Sequence, residues 1–350
     1  MRTRGICYDA GVVKDVPWRP NLDAPTARRE MEIIRRDLHC TAVRIMARDV
    51  DRLELASEAA LEAGLDVWIS PTVWDQDPDE TIARTVQAAR AAERLRADAP
   101  GRVTFQVGGE MTLSMRGILP GRTLNARLKA MMAGDIVRSG AHNQPLNAVL
   151  ARMEDAIRPL FGGPLAYAAL PWEQVDWSRF DVVAVDHYRA TRIKDRYVEM
   201  LAPFLATGKP VVITEFGNPS CVGGDEMSAL STNPNIDPVT FVVHALPGVG
   251  RFVRPRVSRI IPRDEALQAR ELTDTLSILD GAGVEGAFVS TFIFAIRPYD
   301  EDARYDLDAC SPGLVRPLAR GRHGTTYPDM PWEPKEGFRA VADSYRRLTA

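Results

Sequence analysis

The stretch Val211–Gly217, with the sequence VVITEFG, decides the predicted fold. Its first three residues are all β-branched and apolar. A continuous apolar run, without alternating polar residues, is typical of a parallel strand buried on both faces. Gly208-Lys209-Pro210 precedes this run and Gly217 follows it, so Glu215 lies where a strand ends and a loop begins. A charged side chain at that position predicts a functional role, with a structural salt bridge as the alternative.

The stretch Val103–Glu110, with the sequence VTFQVGGE, repeats this arrangement earlier in the chain. An apolar run again ends in glycines, and a second glutamate, Glu110, follows at the strand end. Gly108-Gly109 could also be a close-packing turn whose glutamate caps the next segment. Two strand-end glutamates favour chemistry performed by a pair of carboxyl groups.

Strand-like runs alternate with helical patterns along the whole chain. Eight such runs favour a closed (β/α)₈ barrel over a doubly wound sheet, and no G-x-G-x-x-G follows an early strand. The predicted strands are Ile6–Tyr8, Ala42–Ile45, Val67–Ile69, Val103–Val107, Leu165–Leu170, Val182–Val185, Val211–Ile213 and Ala287–Phe294. The predicted helices are Thr26–Leu38, Val50–Ala63, Pro78–Asp98, Thr123–Arg138, Pro145–Leu160, Ile193–Leu205, Asp264–Leu279 and Glu336–Leu348.

Three connections are too long for ordinary barrel loops. They follow strands four, seven and eight and cover about residues 111–145, 218–262 and 297–334. We expect one catalytic domain over residues 1–350, with these insertions above the face that carries the strand ends.

Charge and composition limit the classes of partner and location. The formal net charge is −3, from 44 basic and 47 acidic residues, which gives no electrostatic case for a nucleic-acid partner. The basic run Arg251–Arg256 is interpreted as a solvated loop. No apolar run is long enough to predict a transmembrane helix, and the first strand starts too early for a secretory signal. We therefore expect a cytoplasmic protein without a membrane partner.

The sequence predicts neither a cofactor nor a metal. The four cysteines, Cys7, Cys40, Cys221 and Cys310, are widely spaced and are expected to be reduced thiols. The five histidines show no ligand spacing. The aspartates between Asp300 and Asp308 are interpreted as a solvated acidic loop rather than a calcium site.

Polar and aromatic residues occupy the predicted strand ends. Carboxylates and guanidinium groups can bond to sugar hydroxyls, and aromatic rings can stack on the apolar face of a pyranose. Trp74 and Trp172 could instead cover loops, and His187 could be a core residue. The candidate binding residues are Asp9, Arg44, Trp74, Trp172, Asp186, His187, Tyr188, Phe292 and Arg297, with Glu110 and Glu215 as catalytic candidates.

The order of these motifs resembles clan A of the retaining glycoside hydrolases. The matching features are Glu110 after strand four, Tyr188 after strand six and Thr214–Gly217 at strand seven. The resemblance implies a (β/α)₈ barrel in which Glu110 is the general acid/base and Glu215 is the nucleophile, with Tyr188 hydrogen-bonded to Glu215. Arg44 would help to keep Glu215 ionised.

Within this clan, three segments resemble actinobacterial proteins labelled abortive infection proteins. They are Val107–Glu110, Met115–Gly121 and Pro298–Asp300. That label implies no mechanism.

Two departures from the clan pattern concern the sugar site. Gly109 stands where clan members carry an asparagine that contacts the sugar 2-hydroxyl, and Phe292 and Phe294 stand where they carry a tryptophan. The hypothesis is a retaining glycoside hydrolase or transglycosidase acting on a small glycoside or glycoconjugate. The alternatives are a barrel that binds a ligand or partner without hydrolysis, and a cyclase or lyase of specialised metabolism. Neither the sugar nor the oligomeric state follows from the sequence.

Overall fold

Eight parallel strands close into a barrel in the computed structural model, which describes residues 1–13, 16–17, 19–20, 22–226, 236–244, 246, 248, 252–319 and 321–348. Each strand pairs with its neighbours along the chain, and the first pairs with the last through the register Ile6 to Val289. The predicted (β/α)₈ barrel is therefore confirmed. The barrel strands are β1 (Thr3–Asp9), β2 (Ala42–Ala47), β3 (Asp66–Pro71), β4 (Val103–Gly109), β5 (Leu165–Ala169), β6 (Val182–Asp186), β7 (Val211–Phe216) and β8 (Gly286–Val289).

Helices connect the strands and pack around the barrel. The longer helices are Ala24–Arg36, Val50–Glu62, Pro78–Asp98, Asn143–Ile157, Glu265–Gly281 and Glu336–Arg347. Shorter α-helices are Met111–Ser114, Leu124–Ala133, Asp135–Ser139, Ala202–Leu205 and Pro238–His244, and 3₁₀ turns cover Trp177–Arg179, Thr191–Arg196, Glu199–Leu201 and Gly224–Glu226. Two short antiparallel ribbons pair Val12–Val13 with Val16–Pro17 and Val315–Pro317 with Trp332–Pro334.

The start of the Pro78–Asp98 helix shows how local sequence sets an element boundary. The Asp77 side chain accepts a hydrogen bond from the Glu80 amide at 3.0 Å, and Pro78 begins the helix. The cap satisfies an amide that has no partner inside the helix, and proline pre-sets the first turn.

Three predicted elements differ from the observed ones. The eighth strand was expected to reach Phe294 but ends at Val289, where the chain turns so that the Thr291 hydroxyl and the Phe292 amide donate to the Cys7 carbonyl. The expected helix over 123–138 breaks at Gly134, whose φ of +83° is left-handed. The expected helix over 193–205 consists of two 3₁₀ turns and one short α-helix.

The segments that follow β7 and β8 are joined by buried charges. Lys335 Nζ lies 3.0 Å from Asp308 Oδ2, and Arg263 pairs with Asp306 at 2.8 Å and with Asp308 at 2.9 Å. Asp306 and Asp308 are buried. The interpretation of this acidic stretch as a solvated loop was therefore wrong for these two residues, because guanidinium and ammonium partners compensate their burial.

The predicted solvated basic run also forms ion pairs. Arg254 contacts the carboxylate of Asp300, and Arg256 Nε lies 3.0 Å from Asp237 Oδ2. Arg251 lies outside the described residues. Each described arginine of the run thus has a carboxylate partner from an inserted segment.

Within the described ranges, no helix has the length and apolar character needed to cross a membrane. The four cysteines are buried free thiols.

Candidate active site

A cavity of about 900 Å³ opens at the carboxyl ends of the barrel strands. Its floor carries charged side chains from four strands and one strand-end turn: Asp9 of β1, Arg44 of β2, Glu110 after β4, Asp186 of β6 and Glu215 of β7. The barrel thus brings residues that are far apart in sequence into one site, as expected for the carboxyl ends of parallel strands.

Glu215 is held by one cation and one phenol. Arg44 Nη1 donates to its Oε1 at 2.6 Å, and the Tyr188 hydroxyl donates to its Oε2 at 2.6 Å. The Glu215 side chain is 20% exposed, whereas that of Arg44 is buried. Charge-assisted hydrogen bonds to both oxygens stabilise the carboxylate form and fix its orientation.

Arg44 and Asp186 form a second layer beneath Glu215. Arg44 Nη1 also donates to the Thr214 carbonyl at 3.1 Å, and the Thr214 hydroxyl donates to Asp186 Oδ1 at 2.7 Å. Burial, followed by repulsion from Glu215, raises the pKa of Asp186 to about 8. Asp186 is thus mainly protonated at neutral pH and leaves the positive charge of Arg44 to Glu215.

Asp9 lies on the same floor. Burial raises the pKa of Asp9 to about 7, and repulsion from Glu215 adds to this effect while Arg19 and Arg44 oppose it. Asp9 is therefore only partly ionised near neutral pH, and the hydrogen bonds from Arg44 and Tyr188 go to Glu215.

Glu110 occupies a different environment. Its backbone is left-handed, with φ +48° and ψ +39°, an uncommon conformation for a residue with a side chain. Among the residues that the structure describes, none makes a hydrogen bond or ion pair with its carboxyl group. Burial raises the pKa of Glu110 well above its ordinary value, and the neighbouring carboxyl groups of Asp186, Glu215 and Glu173 add to this effect in proportion to their ionisation. This environment favours the protonated carboxyl group, the state that a general acid requires.

Glu173 fixes the turn that carries Glu110. It accepts hydrogen bonds from the Thr112 amide at 3.1 Å, the Leu170 amide at 2.9 Å and the Tyr167 hydroxyl at 2.9 Å. Tyr167 in turn accepts from the Met111 amide at 2.9 Å. Glu173 thus connects the backbone that follows β4 to the backbone that follows β5. No local sequence signal indicates this role.

The predicted aromatic and basic candidates have different environments. Trp74 and Trp172 line the cavity, and the Trp172 ring packs edge-on against His142 with centroids 4.9 Å apart. Arg297 also lines it, lies over the Phe294 ring at 4.7 Å and has its pKa lowered to about 10 by burial.

His187 and Phe292 are turned toward protein packing. The His187 ring lies at the edge of the cavity but stacks on Tyr197 at 4.1 Å, and its Nε2 lies 3.1 Å from the Tyr197 carbonyl oxygen. Phe292 is fully buried against Tyr8 and Trp332 and is not among the lining residues. The expectation that Phe292 contacts substrate was wrong, because the strand ends before it, and Phe294 lines the cavity instead.

Sequence reasoning missed the apolar part of the cavity. Met131 and Phe241 lie on inserted helices, where an apolar residue on an amphipathic pattern is indistinguishable from one that packs on the barrel. No group of three or more His, Cys, Asp or Glu side chains in the described ranges could hold a metal ion.

Comparison with solved structures finds glycoside hydrolase barrels. A GH113 β-1,4-mannanase aligns with a TM-score of 0.62 and 14% sequence identity over 99% of both chains. The chain shares the (β/α)₈ barrel fold of these glycoside hydrolase structures. The GH113 β-mannanase AaManA from Alicyclobacillus acidocaldarius aligns with a TM-score of 0.58 and 16% identity over 99% of this chain and 98% of its own.

A β-glucuronidase from Parabacteroides merdae aligns with a TM-score of 0.60 and 13% identity over 99% of this chain but only 38% of its own. Its barrel therefore forms one part of a longer chain. No protein-family model matches the sequence, and no curated protein matches it significantly. At these identities the likeness establishes the fold. The resemblance to abortive infection proteins stays a prediction.

Proposed function

We propose that the protein is a retaining glycoside hydrolase in which Glu110 is the general acid/base and Glu215 is the nucleophile. The observation that carries this proposal is the contrast between the two carboxyl groups. Glu215 accepts hydrogen bonds from Arg44 and Tyr188, whereas burial and negative neighbours keep the Glu110 proton in place. Two carboxyl groups with opposite protonation states are what glycoside hydrolysis requires.

In the first step, a Glu215 oxygen attacks the anomeric carbon of the bound sugar. The bond from that carbon to the leaving oxygen breaks, and the leaving oxygen takes the Glu110 proton. The products are an alcohol and a glycosyl ester of Glu215. Arg44 and Tyr188 position the attacking carboxylate, and the Tyr188 hydroxyl remains available to the ester oxygen as charge is lost.

In the second step, Glu110 accepts a proton from a water whose oxygen attacks the anomeric carbon. The ester bond breaks, so Glu215 returns to the carboxylate and Glu110 is protonated again. Repulsion from ionised Glu215 contributes to the raised pKa of Glu110, and this repulsion disappears when Glu215 is esterified. The same side chain can therefore act as an acid in the first step and as a base in the second.

Gly109 is the floor residue expected to lie near the 2-position of the bound sugar. This residue has no side chain to hydrogen-bond a 2-hydroxyl, and such bonds supply several kcal/mol in the transition state of related hydrolases. We therefore include 2-deoxy and 2-substituted sugars in the proposed substrate class of small glycosides and glycoconjugates.

The proposal is tested with 4-nitrophenyl α- and β-glycosides of common and 2-deoxy sugars. Glu215→Gln is expected to lower kcat by more than about 10³-fold while leaving fold and ligand binding intact, because the amide is nearly isosteric but not nucleophilic. Glu301→Gln, at an exposed position, is the matched control and should keep full activity. Proton NMR of the first-formed sugar product should show the same anomeric configuration as the substrate.

Different failures have different meanings. Full activity in Glu215→Gln contradicts the nucleophile assignment. Release of the opposite anomer indicates inversion. An inactive wild type that still binds glycosides favours the alternative of a barrel that binds a ligand without hydrolysis.

A further inference from the structure

The cavity is chemically divided between its floor and its walls. Its acidic side chains, Asp9, Glu110, Asp186 and Glu215, all lie on the floor at strand ends. The walls rise from segments 124–131, 190–200 and 236–242 and are nearly free of charge. Of the twelve described residues that these segments contribute, ten are apolar: Leu124, Leu128, Met131, Ala190, Ile193, Met200, Ile236, Pro238, Phe241 and Val242, beside Asn125 and Arg192.

One wall belongs to a continuous apolar cluster above β3, β4 and β5. Leu124 is buried in this cluster, and Leu128, Met131, Trp74 and Trp172 pack against it while lining the cavity. The other wall follows β6 and β7 and carries Phe241. In the barrel order β6 and β7 come directly after β5, so the two walls border the cavity above five neighbouring strands, β3 to β7.

We infer that the substrate is a glycoside whose aglycone is a bulky apolar group held between these walls. This inference rests on the proposed function and concerns the aglycone, the group bonded to the leaving oxygen. Because the walls and the carboxyl floor belong to one cavity, one substrate molecule can place its sugar at the floor and its aglycone between the walls.

The size and chemistry of the cavity support this occupant. A volume of about 900 Å³ lies at the upper end of the range for drug-sized ligands. A second sugar between these wall segments would find few side-chain partners there for its hydroxyls, since only Asn125 and Arg192 of the twelve wall residues are polar. Desolvating unpaired hydroxyls is unfavourable, whereas burying methylene groups is favourable.

The first test measures kcat/KM for methyl, butyl, hexyl and octyl glycosides of a sugar that the enzyme accepts, below their micelle concentrations. Because these leaving alcohols have nearly equal acidity, differences in kcat/KM among them reflect contacts between the alkyl chain and the cavity walls. We expect kcat/KM to rise about two- to fourfold for each added methylene until the walls are filled. A flat series, or a higher kcat/KM for the matched disaccharide, would overturn the inference without affecting the proposed function.

Two adjacent methionines provide a matched pair of variants. Met131 lines the cavity, whereas Met132 on the same helix is 80% exposed and does not. Met131→Ser should lower the octyl-to-methyl ratio of kcat/KM about tenfold, and Met132→Ser should leave it unchanged. Phe241→Ser and the 68% exposed Val239→Ser form a second pair on the other wall. Equal ratios within both pairs would overturn the inference.

A binding measurement separates this inference from the proposed function. The neutral apolar dye N-phenyl-1-naphthylamine should bind the wild type and Met132→Ser with increased fluorescence, and octyl glycoside should displace it. If Met131→Ser and Phe241→Ser leave dye binding unchanged, the dye does not bind between the two walls, which contradicts the inference. Dye binding with the expected sensitivity, but no hydrolysis of any glycoside, would support binding between the apolar walls and contradict the proposed function.

Discussion

At the residue scale, the protonation of Glu110 sets a pH dependence. The acid must carry its proton when substrate binds, and its pKa is raised first by burial and then by repulsion from those neighbouring carboxyl groups that are ionised. For an alkyl glycoside, kcat/KM should therefore be high below this pKa and fall as pH rises through it. A 2,4-dinitrophenyl glycoside, whose leaving group needs no proton, should show little of this alkaline decrease. The measurement is kcat/KM from about pH 4 to about pH 10.

The corresponding variant is Glu110→Ala. It should lower kcat/KM about 10²- to 10⁴-fold for the alkyl glycoside and much less for the dinitrophenyl glycoside. Asp9 and Asp186 titrate near neutral pH, with pKa values of about 7 and about 8, so Asp9→Asn and Asp186→Asn serve as controls. If the alkaline decrease vanishes in Asp186→Asn and persists in Glu110→Ala, the acid has been assigned to the wrong residue.

Gly109 allows a direct test of the missing contact to the 2-hydroxyl. Its φ lies outside the left-handed region, and an added Cβ would meet Gln106 Nε2 at 3.2 Å and the Ala168 Cβ at 3.3 Å. The Gln106 amide and the Ala168 Cβ must each give way by a few tenths of an ångström to admit the side chain. Gly109→Asn should therefore fold and should raise the 2-hydroxy over 2-deoxy preference about ten- to a hundredfold, as one gained hydrogen bond in the transition state predicts. The measurement is kcat/KM on matched aryl glycosides. Equal preferences in both proteins would show that position 109 does not contact the 2-position.

The sequence predicted several site residues from strand position alone. Glu110, Glu215 and Arg44 follow from the rule that strand ends meet at one face of the barrel. The hydrogen bonds by which Glu173 joins two backbone segments could not be predicted, because the Thr112 amide, unlike the Tyr167 and Leu170 donors near β5, comes from a distant part of the sequence. Phe294 rather than Phe292 lines the cavity because β8 ends at Val289. The end of this strand could not be predicted, because the sequence stays apolar beyond it.

At the element scale, Gly134 breaks the inserted helix and so determines where the cavity wall stops. One helix was predicted over 123–138, but the left-handed glycine ends it at Ala133. Propensity favours continuation only weakly, whereas the left-handed conformation with φ +83° is accessible mainly to glycine. The change of direction follows directly after the helix that carries Leu128 and Met131.

The substitution Gly134→Ala should therefore lower the free energy of unfolding by about 1–2 kcal/mol, since a side chain disfavours the left-handed conformation. The matched control is Gly281→Ala, at the end of the Glu265–Gly281 helix, where no atom lies within 4 Å of the added Cβ. That control should be neutral or stabilise by up to about 1 kcal/mol. Urea unfolding of both variants measures the difference. Equal stability would mean that Gly134 imposes no conformational requirement.

At the scale of the whole molecule, the connections after β7 and β8 are fastened to each other and to the last helix. The buried Lys335, which precedes that helix, contacts Asp308 and also donates to the Ser220 hydroxyl at 3.0 Å. Arg263 adds pairs with Asp306 and Asp308. The sequence could predict that long connections leave from strand ends, but it could not predict that Arg263 in one connection would pair with Asp306 and Asp308 in the other, 43 and 45 residues further along the chain.

This arrangement predicts a large loss of stability when one partner of the buried pair is neutralised. Asp308→Asn leaves the Lys335 ammonium buried without its carboxylate and should cost about 3–5 kcal/mol, because an uncompensated buried charge is strongly unfavourable. Asp302→Asn breaks the Asp302–Arg304 pair in the same loop, which is exposed to solvent, and should barely change stability. Adding Lys335→Met to Asp308→Asn removes the stranded ammonium and should recover part of the loss. Urea unfolding of the wild type, both single variants at Asp308 and Lys335 and the double variant gives the coupling energy. If the losses at the two positions simply add, Lys335 and Asp308 do not stabilise each other, and the two connections must be held together by their other contacts.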